Sequence, residues 1–151
     1  MRRVVLQMGL SVDGIVAGGQ QGTGEAGAPH EDEAVRRWKV QSVQEVGTHI
    51  MGRVTYEQMA GHWPYNGPAE YADPMNNIPK VVFSKTLTKA ETDAIAAGLI
   101  DEYRLVIRPV ALGSGMPLFK DLLGPLRRRL VDSKAFTDGT AIWVYEPVRN
   151  L

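Results

Sequence analysis

The segment Thr48-His49-Ile50-Met51-Gly52-Arg53-Val54-Thr55-Tyr56-Glu57 constrains this chain most. A short apolar run meets a glycine and an arginine, and a helix-like pattern with Tyr56 and Met59 follows. That order reads as a short buried strand, a tight turn and a helix start. Gly52 permits close backbone approach to a ligand. Arg53 offers a planar fork of donors suited to phosphate. The unpaired N–H groups around Val54 to Glu57, with the helix dipole, favour an anion at the same place. The segment therefore reads as half of a phosphate site for a nucleotide cofactor. On its own the spacing equally describes a turn with a solvated arginine.

The rest of the chain supplies an α/β setting. Val4 to Leu10 reads as a buried first strand, and Ser11-Val12-Asp13-Gly14 as a turn. Gly18 to Pro29 carries glycines at 18, 19, 22, 24 and 27 with almost no large side chain. It reads as a loop that could act as a lid or merely connect. A helix is expected over 31–46, with Glu31, Asp32 and Glu33 placed for the dipole. Val35, Trp38, Val43 and Val46 would form its apolar face, with Gly47 closing it. The next helix is expected from Val54 to Ala60, with Gly61 stopping it. A short helical piece over 69–76 follows a loop rich in proline and glycine. Lys80 to Phe83 reads as a buried strand running into Ser84-Lys85, a hydroxyl and an ammonium that offer a second anion contact. Thr88-Lys89-Ala90-Glu91 has the capping-box form, for a helix ending at Gly98. Glu102 to Pro109 is the next strand. Leu126 to Phe136 and Thr140 to Glu146 form a closing pair, with Asp138-Gly139 as a two-residue hairpin signal.

Helices between early strands and an antiparallel pair at the end give an α/β domain with a mixed sheet. In such sheets ligands bind beyond the carboxyl ends of the strands. The groups there are Gly9 to Ala17, Gly52-Arg53, Ser84-Lys85 and Pro109 to Gly115.

Composition narrows the function classes. The 151 residues suit one domain with a sizeable core. The 17 basic and 17 acidic side chains balance, which argues against a nucleic-acid or membrane-surface binder. With no cysteine, disulfides and zinc-thiolate sites are excluded and a reducing cytoplasm is permitted. The first apolar run is too short for a signal peptide or a membrane span. His30, His49 and His62 lack ligand spacing, so no metal site is expected. His49 reads as a satisfied core residue, and Arg127-Arg128-Arg129 as a solvated strand start.

Several of these segments resemble one known family. Ser11-Val12-Asp13-Gly14-Ile15-Val16-Ala17 resembles the first strand and loop of the dihydrofolate reductase-like superfamily. It is closest to the group of the reductase domain of the riboflavin-biosynthesis deaminase-reductase. Met51 to Glu57 is similar to that group's Met-Gly-Arg-x-Thr-Tyr-Glu. Pro79 to Leu87 looks like its third strand. Gly98 to Leu105 and Leu112 to Phe119 resemble its later strand and loop. The motifs stand in the expected order and cover most of the chain.

The resemblance implies a mostly parallel mixed sheet flanked by helices, with a C-terminal hairpin. It implies an NADPH-dependent reductase passing a hydride to a pterin-like or aminopyrimidine-like heterocycle. Carried over residue by residue, Gly52, Arg53, Val54 and Thr55 would hold cofactor phosphates. Ser84 and Lys85 would lie near the adenosine 2′-phosphate, and Ala17 near the nicotinamide. Gly9, Leu112 and Gly113 would line the substrate pocket. Asp32 would be the carboxylate beside the substrate, polarising it or assisting protonation. Its alternative is a helix-terminal acid that serves only the dipole. A homodimer, formed on the apolar faces of the last hairpin, is expected.

One departure stands out. The family carries several tens of residues, including a Gly-Gly turn facing the cofactor diphosphate, where this chain has only Thr88 to Ala97. Either the chain is this short and cofactor binding is weakened, or the sequence omits a segment joined near Glu91-Thr92. Loss of central strands would bare apolar edges against a margin of roughly 5–15 kcal/mol, which favours omission. The competing functions are a reductase, a ligand-binding relative without turnover, and a dimer platform.

Overall fold

A computed structural model describes residues 2–17, 31–67, 69–83 and 94–149. The chain forms two compact units, Met1–Asp32 with Thr92–Leu151, and Glu33–Glu91.

The first unit is built on a four-stranded sheet in the order β1-β5-β8-β7. Its strands are β1 (Val5–Leu10), β5 (Glu102–Ile107), β7 (Arg128–Ala135) and β8 (Ala141–Pro147). β1 runs parallel to β5, with Gly9 opposite Val106. β8 lies antiparallel to both β5 and β7. β2 (Ile15–Ala17) pairs antiparallel with β6 (Met116–Pro117), with an irregular register between Ile15 and Ala17.

Strand periodicity of two sorts the side chains of β5 and β8. Tyr103, Leu105 and Ile107 join Leu10, Ile95, Ile100 and Leu118 in one apolar cluster, with Leu6, Met8 and Tyr145 packed against it. The opposite face carries Val106, Ile142 and Val144, also buried. At the end of that face Arg108 and Thr140 are buried too.

Residues 94–96 are helical and stop where Gly98 was expected to stop them. Gly98 takes φ +68. Its N–H donates to the Ile95 carbonyl at 3.1 Å, and the Leu99 N–H to the Ala94 carbonyl at 3.0 Å. That pair of bonds is a Schellman ending, which a left-handed glycine permits. The closing hairpin differs from expectation. Phe136 N–H donates to the Thr140 carbonyl at 2.9 Å, and Gly139 N–H to the Phe136 carbonyl at 3.1 Å. Only Gly139 of the tip has positive φ, at +88. The loop is therefore a three-residue turn closed by a glycine bulge, since a two-residue type I′ turn needs two positive φ values in succession.

The second unit holds α1 (Glu33–Gln44), β3 (His49–Gly52), α2 (Arg53–His62), α3 (Ala69–Asn77) and β4 (Lys80–Phe83). β3 and β4 are parallel and in register, His49 opposite Lys80 and Gly52 opposite Phe83. α1 buries Val35 and Val43 as expected, and Ser42 between them, whose hydroxyl donates to the Lys39 carbonyl at 2.7 Å. Arg36 of α1 reaches Glu70 of α3 at 2.6 Å. α2 runs through Gly61 rather than stopping there, because glycine lowers helix propensity without breaking the hydrogen-bond ladder.

Three readings need correction. β3 and β4 are not buried throughout: Ile50 and Val81 are exposed on one face and Val82 on the other, while Met51 is buried, since a two-stranded ribbon does not cover both of its faces. His49 is not a satisfied core residue, because its Nδ1 is buried with no hydrogen-bond partner among the described residues. Arg128 is not a solvated strand start. Its guanidinium lies 4.6 Å over the Tyr103 ring and donates to the Tyr103 hydroxyl at 2.8 Å.

Candidate functional site

Gly9, Ala17, Asp32, Leu112 and Gly113 all belong to the first unit. β1 and β5 are parallel, so their carboxyl ends lie side by side, at Leu10 and Ile107. The loops leaving those ends are laced together. Arg108 N–H donates to the Leu10 carbonyl at 2.7 Å, Val12 N–H to Val110 at 2.8 Å, and Leu118 N–H to Gly14 at 3.1 Å. β2 and β6 extend the same seam, with Ala17 opposite Met116.

Asp13 ties this seam down. Its carboxylate accepts the Leu112 N–H at 3.1 Å, the Gly113 N–H at 2.7 Å and the Ser11 hydroxyl at 2.5 Å. The Ser11 hydroxyl in turn accepts the Ile15 N–H at 3.0 Å, and Gly14 closes the turn at φ +81. Donors aimed at the ionised carboxylate, Ser11 first and then Gly113 and Leu112, hold the Asp13 pKa down to about 2. The loop expected to face a substrate is thus fixed by a side chain read from the sequence only as a turn residue.

Asp32 is fixed as well. Its backbone N–H donates to the Asp138 carboxylate at 3.1 Å, and the Thr137 hydroxyl donates to its own carboxylate. Asp138 also accepts the Thr140 N–H at 2.8 Å. Burial pushes the Asp138 pKa up. The bonds from Thr140 and Asp32, aided by the Arg108 charge, outweigh this and leave it lowered. Arg108, almost wholly buried, pairs with Glu31 at 2.7 Å. Asp32, one residue before α1, is therefore also held by the hairpin tip. Sequence reasoning passed over Asp13, Arg108, Thr137 and Asp138 as actors. Their partners lie far off in the chain, and the one local signal was the Asp-Gly pair of the last turn.

In the second unit, Gly52 and Phe83 end β3 and β4 together. Gly52 is the cap of α2, with no side-chain cap bond, and a Cβ on it would meet nothing within 4 Å. Its φ of −75 is open to any residue, so free space rather than conformation is what glycine leaves here. Arg53 opens α2, half exposed, with Nε 3.4 Å from Glu57. Such an exposed pair is weak, so the guanidinium can turn to an anion. Val54 and Thr55 complete the first turn of α2. Ser84, Lys85, the Gly18–Pro29 loop and the junction near Glu91-Thr92 lie outside the described residues.

Among the described residues, no group of three acidic, histidine or cysteine side chains could hold a metal. None of their helices is long and apolar enough to cross a membrane.

Residues 90–142 match the family model of the RibD C-terminal domain. The Bacillus subtilis protein YyaP is 43% identical over 54 residues, a match taking in 36% of this chain and 29% of that protein. YwjB of the same organism is 27% identical, with 89% of this chain and 92% of YwjB covered. That alignment spans 163 positions, more than this chain has residues, so YwjB carries residues within the span that this chain lacks. Among solved structures, a putative riboflavin biosynthesis protein from Shewanella sp. PV-4 superposes with a TM-score of 0.65 at 20% identity. It covers 98% of this chain and all of that one. RibD of Acinetobacter baumannii gives 0.63 at 16% identity, this chain matching 59% of it over 99% of its own length. A pyrimidine reductase-like protein from Corynebacterium diphtheriae also gives 0.63, at 12% identity, over 98% of this chain and 92% of that one. Together with the parallel β1–β5 pair and the closing hairpin, these likenesses bear out the resemblance read from the motifs: residues 90–142 match the RibD C-terminal domain, and the chain has the mixed α/β fold of these RibD-like structures.

Proposed function

We propose that this chain is an NADPH-dependent reductase of a small aminopyrimidine-like or pterin-like heterocycle. The observation that carries the reading is the register of β3 and β4. Gly52 lies opposite Phe83, so the strand that leads into Arg53 ends beside the one that leads into Ser84 and Lys85. A guanidinium at one strand end, with a hydroxyl and an amine following the other in the sequence, suits the phosphates of a dinucleotide. The uncapped start of α2 and the open space at Gly52 fit that role. Gly52, Arg53, Val54 and Thr55 would hold phosphate, Ser84 and Lys85 the 2′-phosphate, and Ala17 the nicotinamide edge. When bound, the cofactor supplies a hydride to the carbon of a C=N or C=O bond. Asp32 would meet the substrate, polarise it and manage the proton at its heteroatom. Gly9, Leu112 and Gly113 would shape the pocket wall, and the Asp13 bonds would keep that wall from moving during the reaction.

The names of the neighbours support the substrate class. A structure from Thermotoga maritima, with a TM-score of 0.62 at 11% identity, is named a deaminase and 5-amino-6-(5-phosphoribosylamino)uracil reductase. That phosphoribosylaminouracil is the first substrate to test. NADPH fluorescence is expected to report binding at micromolar cofactor, and Arg53→Ala to weaken it about tenfold. Oxidation of NADPH with the uracil compound, slowed about a thousandfold but still measurable in Asp32→Asn, is expected. Absence of binding at sub-millimolar NADPH overturns the reading.

The second reading is a ligand-binding relative without turnover. Residues present in YwjB and missing here favour it, and binding without oxidation of NADPH would establish it. Under either reading we place the protein in the cytoplasm as a homodimer. Leu130 and Val131, exposed on the edge strand β7, are the apolar groups a second copy would cover. Light scattering checks the mass.

A further inference from the structure

The tip of the C-terminal hairpin, residues 136–140, is tied to Asp32 by two reciprocal bonds. The Asp32 N–H is given to Asp138, and the Asp32 carboxylate receives the Thr137 hydroxyl. One bond fixes the backbone and the other the side chain. A carboxylate held at both places loses rotamer freedom before any substrate arrives. The tip can do this because it is rigid. The glycine bulge at Gly139 closes the turn, and Asp138 spans from Asp32 to the Thr140 N–H of the same turn. Of the neighbouring charges, Arg108 pairs with Glu31 at 2.7 Å and also faces Asp138. Arg108 also bonds through its N–H to Leu10, at the end of β1. The hairpin tip, the end of β1 and Asp32 are thus parts of one bonded cluster within the first unit.

We propose that Thr137 is a positioning residue that orients the Asp32 carboxylate toward the substrate, which makes the hairpin tip a working part of the reductase site. The inference rests on the reading of Asp32 as the carboxylate that meets substrate. A threonine suits the task because its hydroxyl donates one bond while its branched stem has few rotamers.

The experiment is steady-state oxidation of NADPH with 5-amino-6-(5-phosphoribosylamino)uracil by the full chain and its variants, with NADPH affinity measured separately by fluorescence. Thr137→Val keeps the shape and removes the donor. It is expected to lower kcat about ten- to a hundredfold with NADPH affinity unchanged. Thr137→Ser keeps the donor and is expected to recover activity to within about twofold. The double variant of Thr137→Val with Asp32→Asn is expected to be no slower than Asp32→Asn alone, because one residue acts through the other. Thr137→Ala serves in place of the valine variant if that one does not fold. Equal activity of Thr137→Val and wild type overturns the proposal. Equal loss in the valine and serine variants, or losses that add in the double variant, overturn it too. A wild-type chain that binds NADPH and never oxidises it brings down the reductase reading itself, and this role with it.

Discussion

The carboxylate of Asp13 accepts the backbone N–H of Gly113 at 2.7 Å, across a hundred residues of chain. With the Leu112 N–H as second donor, one side chain at the end of β1 sets the path of the loop that leaves β5. A backbone N–H given to an ionised oxygen is stronger than one given to a neutral acceptor.

Asp13→Asn is therefore expected to loosen the loop. Amide hydrogen exchange at Leu112 and Gly113 should quicken, with the sheet amides of β5 little changed. The pH dependence has a definite sign. The folded-state pKa of Asp13, about 2, lies below its usual value of 3.8. Its contribution is then complete above about pH 4 and is lost as pH falls through about 2. Urea midpoints of wild type and Asp13→Asn should differ at neutral pH and converge in strong acid. A gap of constant size across that range would refute the clamp.

Gly139 and Gly113 both have positive φ, +88 and +73, yet their surroundings differ. A Cβ on Gly139 would sit 3.0 Å from the Pro109 Cβ and 3.2 Å from its Cγ, whereas on Gly113 it would meet nothing within 4 Å. Gly113→Ala carries only the conformational cost, about 1 kcal/mol. Gly139→Ala adds a clash with a rigid ring and is expected to cost about 2–3 kcal/mol. Thermal melts should rank the two variants in that order.

The Arg108–Glu31 pair is buried on the arginine side and a quarter exposed on the glutamate side. The two ways of breaking it are therefore unequal. Glu31→Gln leaves a buried guanidinium without its bonded carboxylate, with only the Asp138 charge still nearby, and is expected to cost about 2–3 kcal/mol. Arg108→Met replaces that cation with an apolar chain, removes a buried Nη1 that has no partner, and leaves Glu31 within reach of water. It is expected to cost about 1 kcal/mol. Urea denaturation near pH 7 measures both, and a larger loss in Arg108→Met would reverse the argument.

His49 gives a second pH signature. Burial first, and the Lys80 charge second, lower its pKa from the usual 6.5. An unfolded chain then binds a proton at a pH where the folded chain does not. The contribution is complete above about pH 6.5 and declines as pH falls below it. His49→Leu should flatten the stability profile below about pH 6.5, measured as urea midpoints. The same slope in both proteins would mean that another group is responsible.

Most elements were legible because each is announced by residues close together in the chain. Periodicity marked α1 and β5, Gly98 announced the left-handed helix ending, and the apolar run of Lys80 to Phe83 marked β4 with the observed ends. The motifs Ser11 to Ala17 and Leu112 to Phe119 pointed to the loops that the seam between β1 and β5 does bring together. The hairpin was legible at Asp138-Gly139, but its loop type was not. A three-residue and a two-residue closure share those letters and differ in the φ of Asp138.

What the sequence by itself determined was the succession of strands and helices and the α/β class. Those follow from propensities and periods that act over a few residues. Only the tertiary structure decided the order β1-β5-β8-β7, the hold of Asp13 on Gly113, the hold of Thr137 on Asp32, and the pairing of Arg108 with Glu31. Each of these joins groups far apart in the chain. A contact between distant segments depends on how strands are laid side by side, and it leaves no local pattern in the letters.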